Sequence, residues 1–92
     1  MLIRWAKPAA NDLANICDFT QEQFGPAQAR RVALTLYNSA ESLKTHPSRG
    51  RPGRKPNTRE LVISGLPYLI VYRVRENTVE INRILHGAQK WP

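Results

Sequence analysis

The sequence predicts one α+β domain spanning residues 1–92, ordered β-α-α-β-β-β, with a helical hairpin packed on one face of a small antiparallel sheet. Three observations carry that expectation. The last third of the chain holds three short β-rich runs separated by turn signals. The stretch before Pro47 repeats its apolar residues every three or four positions, in two segments split by Gly25-Pro26. A basic connector punctuated by Gly and Pro separates the two halves.

Leu2 to Ala6 alternates weakly and is short enough to be a strand. Pro8 suits the first turn of a helix, where its missing N–H would be unpaired anyway. Beyond it, Ala10, Leu13, Ala14, Ile16, Cys17 and Phe24 form an apolar stripe, opposed by Asn11, Asp12, Asn15, Asp18, Gln21 and Glu22. Gly25 caps this helix and Pro26 starts the next. Ala29, Val32, Ala33, Leu36, Ala40 and Leu43 give the second helix its stripe. It should run to about His46, because Pro47 disfavours helical geometry in the residue before it. So short a link makes the two helices an antiparallel hairpin whose alanines allow close approach. The meander follows as Arg59–Ile63, a turn at Ser64-Gly65, Tyr68–Val74, a turn at Glu76-Asn77, and Val79–Leu85. β-Branched and aromatic residues in runs of this length suit a pleated, half-buried surface. The helical stripes need a sheet face to cover them, which leaves the other face open.

Charge is unevenly spread along the chain. Of a formal net charge of +7, residues 1–48 hold five basic and four acidic side chains, and residues 49–92 hold nine and three. A basic half attracts nucleic acid, acidic lipid or an acidic protein segment. A domain this size buries roughly two-thirds of its unfolded surface, so its core is small. Cys17 is the single cysteine, which excludes an internal disulfide and a cysteine metal cluster and fits a reducing cytoplasm. The residues call for no metal or cofactor. No apolar run reaches signal-peptide or membrane-spanning length, so a cytoplasmic protein without a membrane partner is expected.

The connector gathers Arg49, Arg51, Arg54 and Lys55 within seven positions. Arg49-Gly50-Arg51-Pro52 matches the core of an AT-hook, an extended segment that lies in a narrow A·T minor groove. An AT-hook belongs in a free tail, however, and this one is tethered between a helix and a strand. Trp5 and Trp91 could stack on bases, but one at each end of a small domain reads better as a pair of core anchors. By strand alternation Tyr68, Ile70 and Tyr72 share a face toward the helices, and Leu69, Val71 and Arg73 share the other. The same rule puts Arg83 on one face with Ile81 and Leu85.

The ordered set of Thr58-Arg59-Glu60-Leu61, the strand Pro67-Tyr68-Leu69-Ile70-Val71-Tyr72-Arg73-Val74, and Leu85-His86-Gly87-Ala88 resembles the RelE/ParE superfamily of bacterial toxins, closest to the ParE branch. The resemblance covers nearly the whole chain and includes the Gly- and Arg-rich connector. It implies that the first strand pairs at an edge of the meander. It also implies a toxin of a type II toxin-antitoxin system, held silent by a cognate antitoxin. For the ParE branch it implies binding to DNA gyrase, with Arg49, Arg51, Arg54, Lys55, Arg59 and Arg73 as target-binding candidates.

The RelE branch implies instead a ribosome-dependent mRNA interferase. His86 would then be the acid or base, with Arg59, Arg73 and Arg83 holding the phosphate. Leu69 stands where some of those nucleases carry arginine, and Gly87 stands where an aromatic follows the histidine. A binding relic without activity is a third possibility. The antitoxin expected of such a system is an acidic or amphipathic segment that folds on binding and buries on the order of 2,000 Å².

Overall fold

The computed structural model describes residues 1–87. Its elements are β1 (Leu2–Trp5), α1 (Lys7–Phe24), α2 (Pro26–Glu41), a 3-10 turn (Ser42–Lys44), β2 (Arg51–Pro52), β3 (Arg59–Val62), β4 (Tyr68–Arg75) and β5 (Thr78–His86). Among the described residues the five strands form one sheet in the order β1-β5-β4-β3-β2. β2, β3, β4 and β5 pair antiparallel in sequence, whereas β1 joins the far edge parallel to β5, with Leu2 opposite Thr78 and Trp5 opposite Ile81. The expected meander and the edge position of the first strand are present. The sheet is mixed rather than wholly antiparallel, because the helical hairpin returns the chain to the end of the sheet from which β1 left it.

Both helices begin with proline in the first turn. Gly25 joins them at φ 89° and ψ 171°, a region open essentially to glycine, and its N–H closes α1 on the Gln21 carbonyl at 2.9 Å. The α2 stripe lies where its spacing put it, with Ala29, Val32, Leu36, Ala40 and Leu43 buried. Leu43 sits in the 3-10 turn, since the last turn before Pro47 tightens instead of continuing as α-helix to His46. The α1 stripe is rotated from its expected position. Ala9 and Thr20 are buried and Leu13 and Ile16 pack on the core, while Ala10 and Ala14 face outward and Phe24 is 71% exposed. Thr20 can lie inward because its hydroxyl donates to the Ile16 carbonyl at 2.7 Å.

The main core lies between the helices and one sheet face, where Val32, Leu36, Ala40 and Leu43 meet Ile70, Tyr72, Val79, Ile81 and Ile84. Ile3, Trp5 and Tyr68 pack partly against it, so Trp5 serves as the expected partial anchor. Trp91 lies outside the described residues. The opposite face is not open throughout, for Leu69, Val71 and Leu85 form a second buried cluster there.

A bulge corrects the expected facing of Arg83. Val71 pairs with Arg83 but Tyr72 pairs with Ile81, so one extra residue enters β5 and reverses its alternation. Ile81 and Ile84 both reach the main core, Leu85 joins the opposite cluster, and Arg83 no longer shares a face with Ile81.

Candidate functional site

The basic connector is fastened to the sheet rather than free, which removes the geometry an AT-hook needs. Arg51-Pro52 pairs with Arg59 and Glu60 as the outermost strand, an edge where a proline without N–H is tolerated. Tyr72 is fully buried, yet its hydroxyl donates to the Pro47 carbonyl at 2.7 Å and accepts the Gly50 N–H at 2.8 Å. Gly50 must be glycine for that approach, since a Cβ would stand 2.7 Å from the tyrosine ring and hydroxyl. Arg59 donates to the carbonyls of Gly50 at 2.7 Å and Ser48 at 3.3 Å. The Gly53 N–H donates to the Thr58 carbonyl at 2.7 Å, with Asn57 between them at φ 64°.

Glu60 lies beneath this loop with its side chain 2% exposed. Arg51 Nη2 donates to Oε1 at 3.1 Å, and the Arg54 main-chain N–H and Nε both donate to Oε2 at 3.2 Å. Burial alone would push the carboxyl pKa up. The Arg54 N–H and the two guanidiniums outweigh burial and hold it below the ordinary glutamate value.

At the other end of the sheet Glu80 bridges Arg4 and Arg73, the latter at 3.1 Å, and accepts the Asn82 amide at 2.9 Å. These donors, Arg4 first, hold Glu80 below the usual range despite its partial burial. Arg83 forks onto Asp12, Nε to Oδ2 at 2.7 Å and Nη2 to Oδ1 at 3.1 Å, and the same carboxylate takes the Ile84 N–H at 2.9 Å. Asp12 thus ties α1 to the part of β5 that β1 does not reach. The fork raises the Arg83 pKa further.

The four groups a nuclease reading would use do not converge. Arg73 and Arg83 line one surface hollow with Lys55, Pro56, Thr58 and Asn82. Arg59 lines another beside Pro52 and Val74. His86 lies at the end of β5, edge-on to Tyr68 with ring centroids 5.9 Å apart, lining a hollow against α1 with Asp12, Ile16 and Phe19. Of the target-binding candidates, Arg49, Arg51, Arg54 and Lys55 are exposed, and Arg59 and Arg73 are half-buried. Arg49 reaches the Ser42 hydroxyl at 2.9 Å.

Sequence reasoning missed the roles of Glu60, Tyr72 and Asp12 as fasteners. The signal for Glu60 was a single carboxylate amid five cations, which a folded chain tends to place where it can bridge them. Asp12 gave no such signal, its partner lying 71 residues away. Among the described residues no group of three His, Cys, Asp or Glu side chains is placed to hold a metal ion.

The chain matches the family model described as ParE toxin of type II toxin-antitoxin system, parDE, over residues 3–91. It is 38% identical over 90 residues to the Y4kP protein of Sinorhizobium fredii, covering 98% of this chain and 92% of that one. It is 42% identical over 85 residues to toxin RelE2 of Caulobacter vibrioides, covering 92% and 93%. A solved structure described as the chromosomal ParDE TA system from P. aeruginosa superposes with a TM-score of 0.87 at 27% identity, covering 94% of this chain and 95% of that one. Fold and sequence agree, and the chain belongs to the ParE toxin family of type II toxin-antitoxin systems.

Proposed function

We propose that this toxin acts by binding DNA gyrase in the cytoplasm, without covalent chemistry of its own, and is neutralised by a cognate antitoxin. The observation that carries this reading is the state of the candidate catalytic groups. Arg59 is bonded to connector carbonyls, Arg73 to Glu80 and Arg83 to Asp12, and His86 lines a different hollow from all three. A phosphoryl-transfer site needs an acid or base and its cations around one reacting phosphate. What the chain offers instead is a fastened, exposed basic surface on the connector. Such a surface suits a DNA-bound target, which carries dense negative charge.

An antitoxin would fit the helical hairpin. Phe19 and Phe24 of α1 and Leu34 and Tyr37 of α2 are 46–71% exposed and would anchor an amphipathic segment. The net charge of +7, most of it in residues 49–92, would draw an acidic segment to the molecule, and these apolar side chains would hold it.

The second reading, an mRNA interferase, is favoured by one observation: Lys55, Arg73 and Arg83 surround a single hollow that could seat a phosphate. Among the described residues, that hollow is lined by no carboxylate or imidazole to move the proton.

Charge reversal separates the two. Arg51 and Arg54 are poor choices, because reversing them would leave Glu60 facing like charges. Arg49→Glu should raise the concentration needed for half-inhibition of gyrase several-fold, up to about tenfold, while His86→Ala should leave it unchanged. Loss of toxicity in His86→Ala, with Arg49→Glu still toxic, would favour the nuclease.

A further inference from the structure

We propose that Glu60 is a positioning residue for target binding: it sets the directions in which Arg51 and Arg54 present their guanidiniums to an acidic or phosphate-bearing surface. The inference rests on the gyrase-binding reading and adds to it a residue that does not itself touch the target.

The connector is held at two separable places. Its first part, Pro47 to Gly50, is fixed by Tyr72 and Arg59 without help from Glu60. The tight loop from Gly53 to Thr58 closes through its own hydrogen bonds, and Gly53 packs so closely that an added Cβ would lie 2.2 Å from the Thr58 hydroxyl. What these contacts leave to Glu60 is the Arg54 main-chain N–H and the directions of the Arg51 and Arg54 side chains. Glu60 decides that with three donors on one carboxylate, two of them from guanidiniums.

The carboxylate sits under the loop at 2% exposure, while the side chains it holds remain 60% and 45% exposed for Arg51 and Arg54. Each arginine therefore turns one edge inward and keeps much of its surface for a partner. A free arginine loses rotamer freedom when it is immobilised. Here that loss falls on folding, and binding proceeds with the fork already aimed. Glu60 remains ionised at neutral pH, because its donors outweigh its burial.

Attraction and positioning make opposite forecasts for Glu60→Gln. The substitution raises the charge of the basic surface by one, so a surface acting by attraction alone would bind as well or better. A surface acting through aimed arginines would bind worse, because a neutral amide holds two guanidiniums poorly. The experiment compares wild type and E60Q in a gyrase supercoiling titration, with the folded fraction of each counted by antitoxin titration and loop mobility read as the rate of tryptic cleavage after Arg54.

The expected result is a roughly tenfold rise in half-inhibitory concentration, faster cleavage after Arg54, and an unchanged folded fraction. Inhibition equal to or tighter than wild type, with wild-type cleavage, overturns the inference and leaves the gyrase reading intact. A wild-type protein that leaves gyrase untouched overturns that reading, and this inference with it. If E60Q loses its folded fraction, Glu60→Asp takes its place in the same two measurements, since the shorter side chain keeps the charge and draws the carboxylate back from the two guanidiniums.

Discussion

Tyr72 carries a phenol hydroxyl into the core and uses it to hold a loop more than twenty residues away. Removing that oxygen in Tyr72→Phe leaves the Gly50 N–H and the Pro47 carbonyl without their partner. Gly50 is buried and Pro47 half-buried, so the loss should cost about 1–3 kcal/mol and lower the urea midpoint of unfolding with little change in slope. A midpoint equal to wild type would mean that water replaces the hydroxyl. At this scale the sequence was legible in kind and not in pairing. The cations were plain to see, and so was the tyrosine facing the helices. Arg73 opposite Glu80 follows from a two-residue turn at Glu76-Asn77, but that Arg59 would serve carbonyls and Arg83 a helix carboxylate could not be read, because those pairings depend on contacts the chain makes only when folded.

The elements were legible where one physical cause dominates. α2 buries Ala29, Val32, Leu36 and Ala40 of its spacing-defined stripe because one orientation covers all four. α1 has fewer large apolar residues, and a rotation that buries Ala9 and Thr20 costs little when the threonine hydroxyl satisfies itself on its own helix. The β5 bulge was invisible for a related reason: alternation assumes a regular ladder, and nothing in Ile81-Asn82-Arg83-Ile84 announces the extra residue. Gly25 is the element-scale feature that sequence located correctly and structure explains. A Cβ there would touch nothing within 4 Å, so the demand for glycine is conformational rather than steric. Gly25→Ala should therefore destabilise the fold by about 1–3 kcal/mol, measured by chemical denaturation, with the hairpin packing otherwise intact. A cost below a few tenths of a kcal/mol would show that the link can adopt another path between the helices.

At the scale of the whole molecule the chain divides its surface by chemistry. The connector and the adjoining sheet edge hold exposed cations fastened by Glu60 and Tyr72. The helical hairpin exposes Phe19, Phe24, Leu34 and Tyr37. The charge imbalance between the halves of the sequence anticipated the first surface. It could not say that the connector would become the outermost strand of the sheet, which follows from its pairing with β3. Two surfaces of opposite character suit a protein that meets two partners, a target and an inhibitor of that encounter. Membership of the ParE toxin family fixes the system in which it works, and the dispersal of its potential catalytic groups argues for inhibition by binding.

The measurement that bears most directly on that claim is a supercoiling and DNA-cleavage assay with purified gyrase, run beside a translating extract in which mRNA integrity is followed. The account predicts lost supercoiling, accumulated cleaved DNA and intact mRNA, with His86→Ala behaving as wild type. Cuts in translated mRNA with gyrase unaffected would contradict it, and would move the site of action to His86 and the hollow lined by Lys55, Arg73 and Arg83.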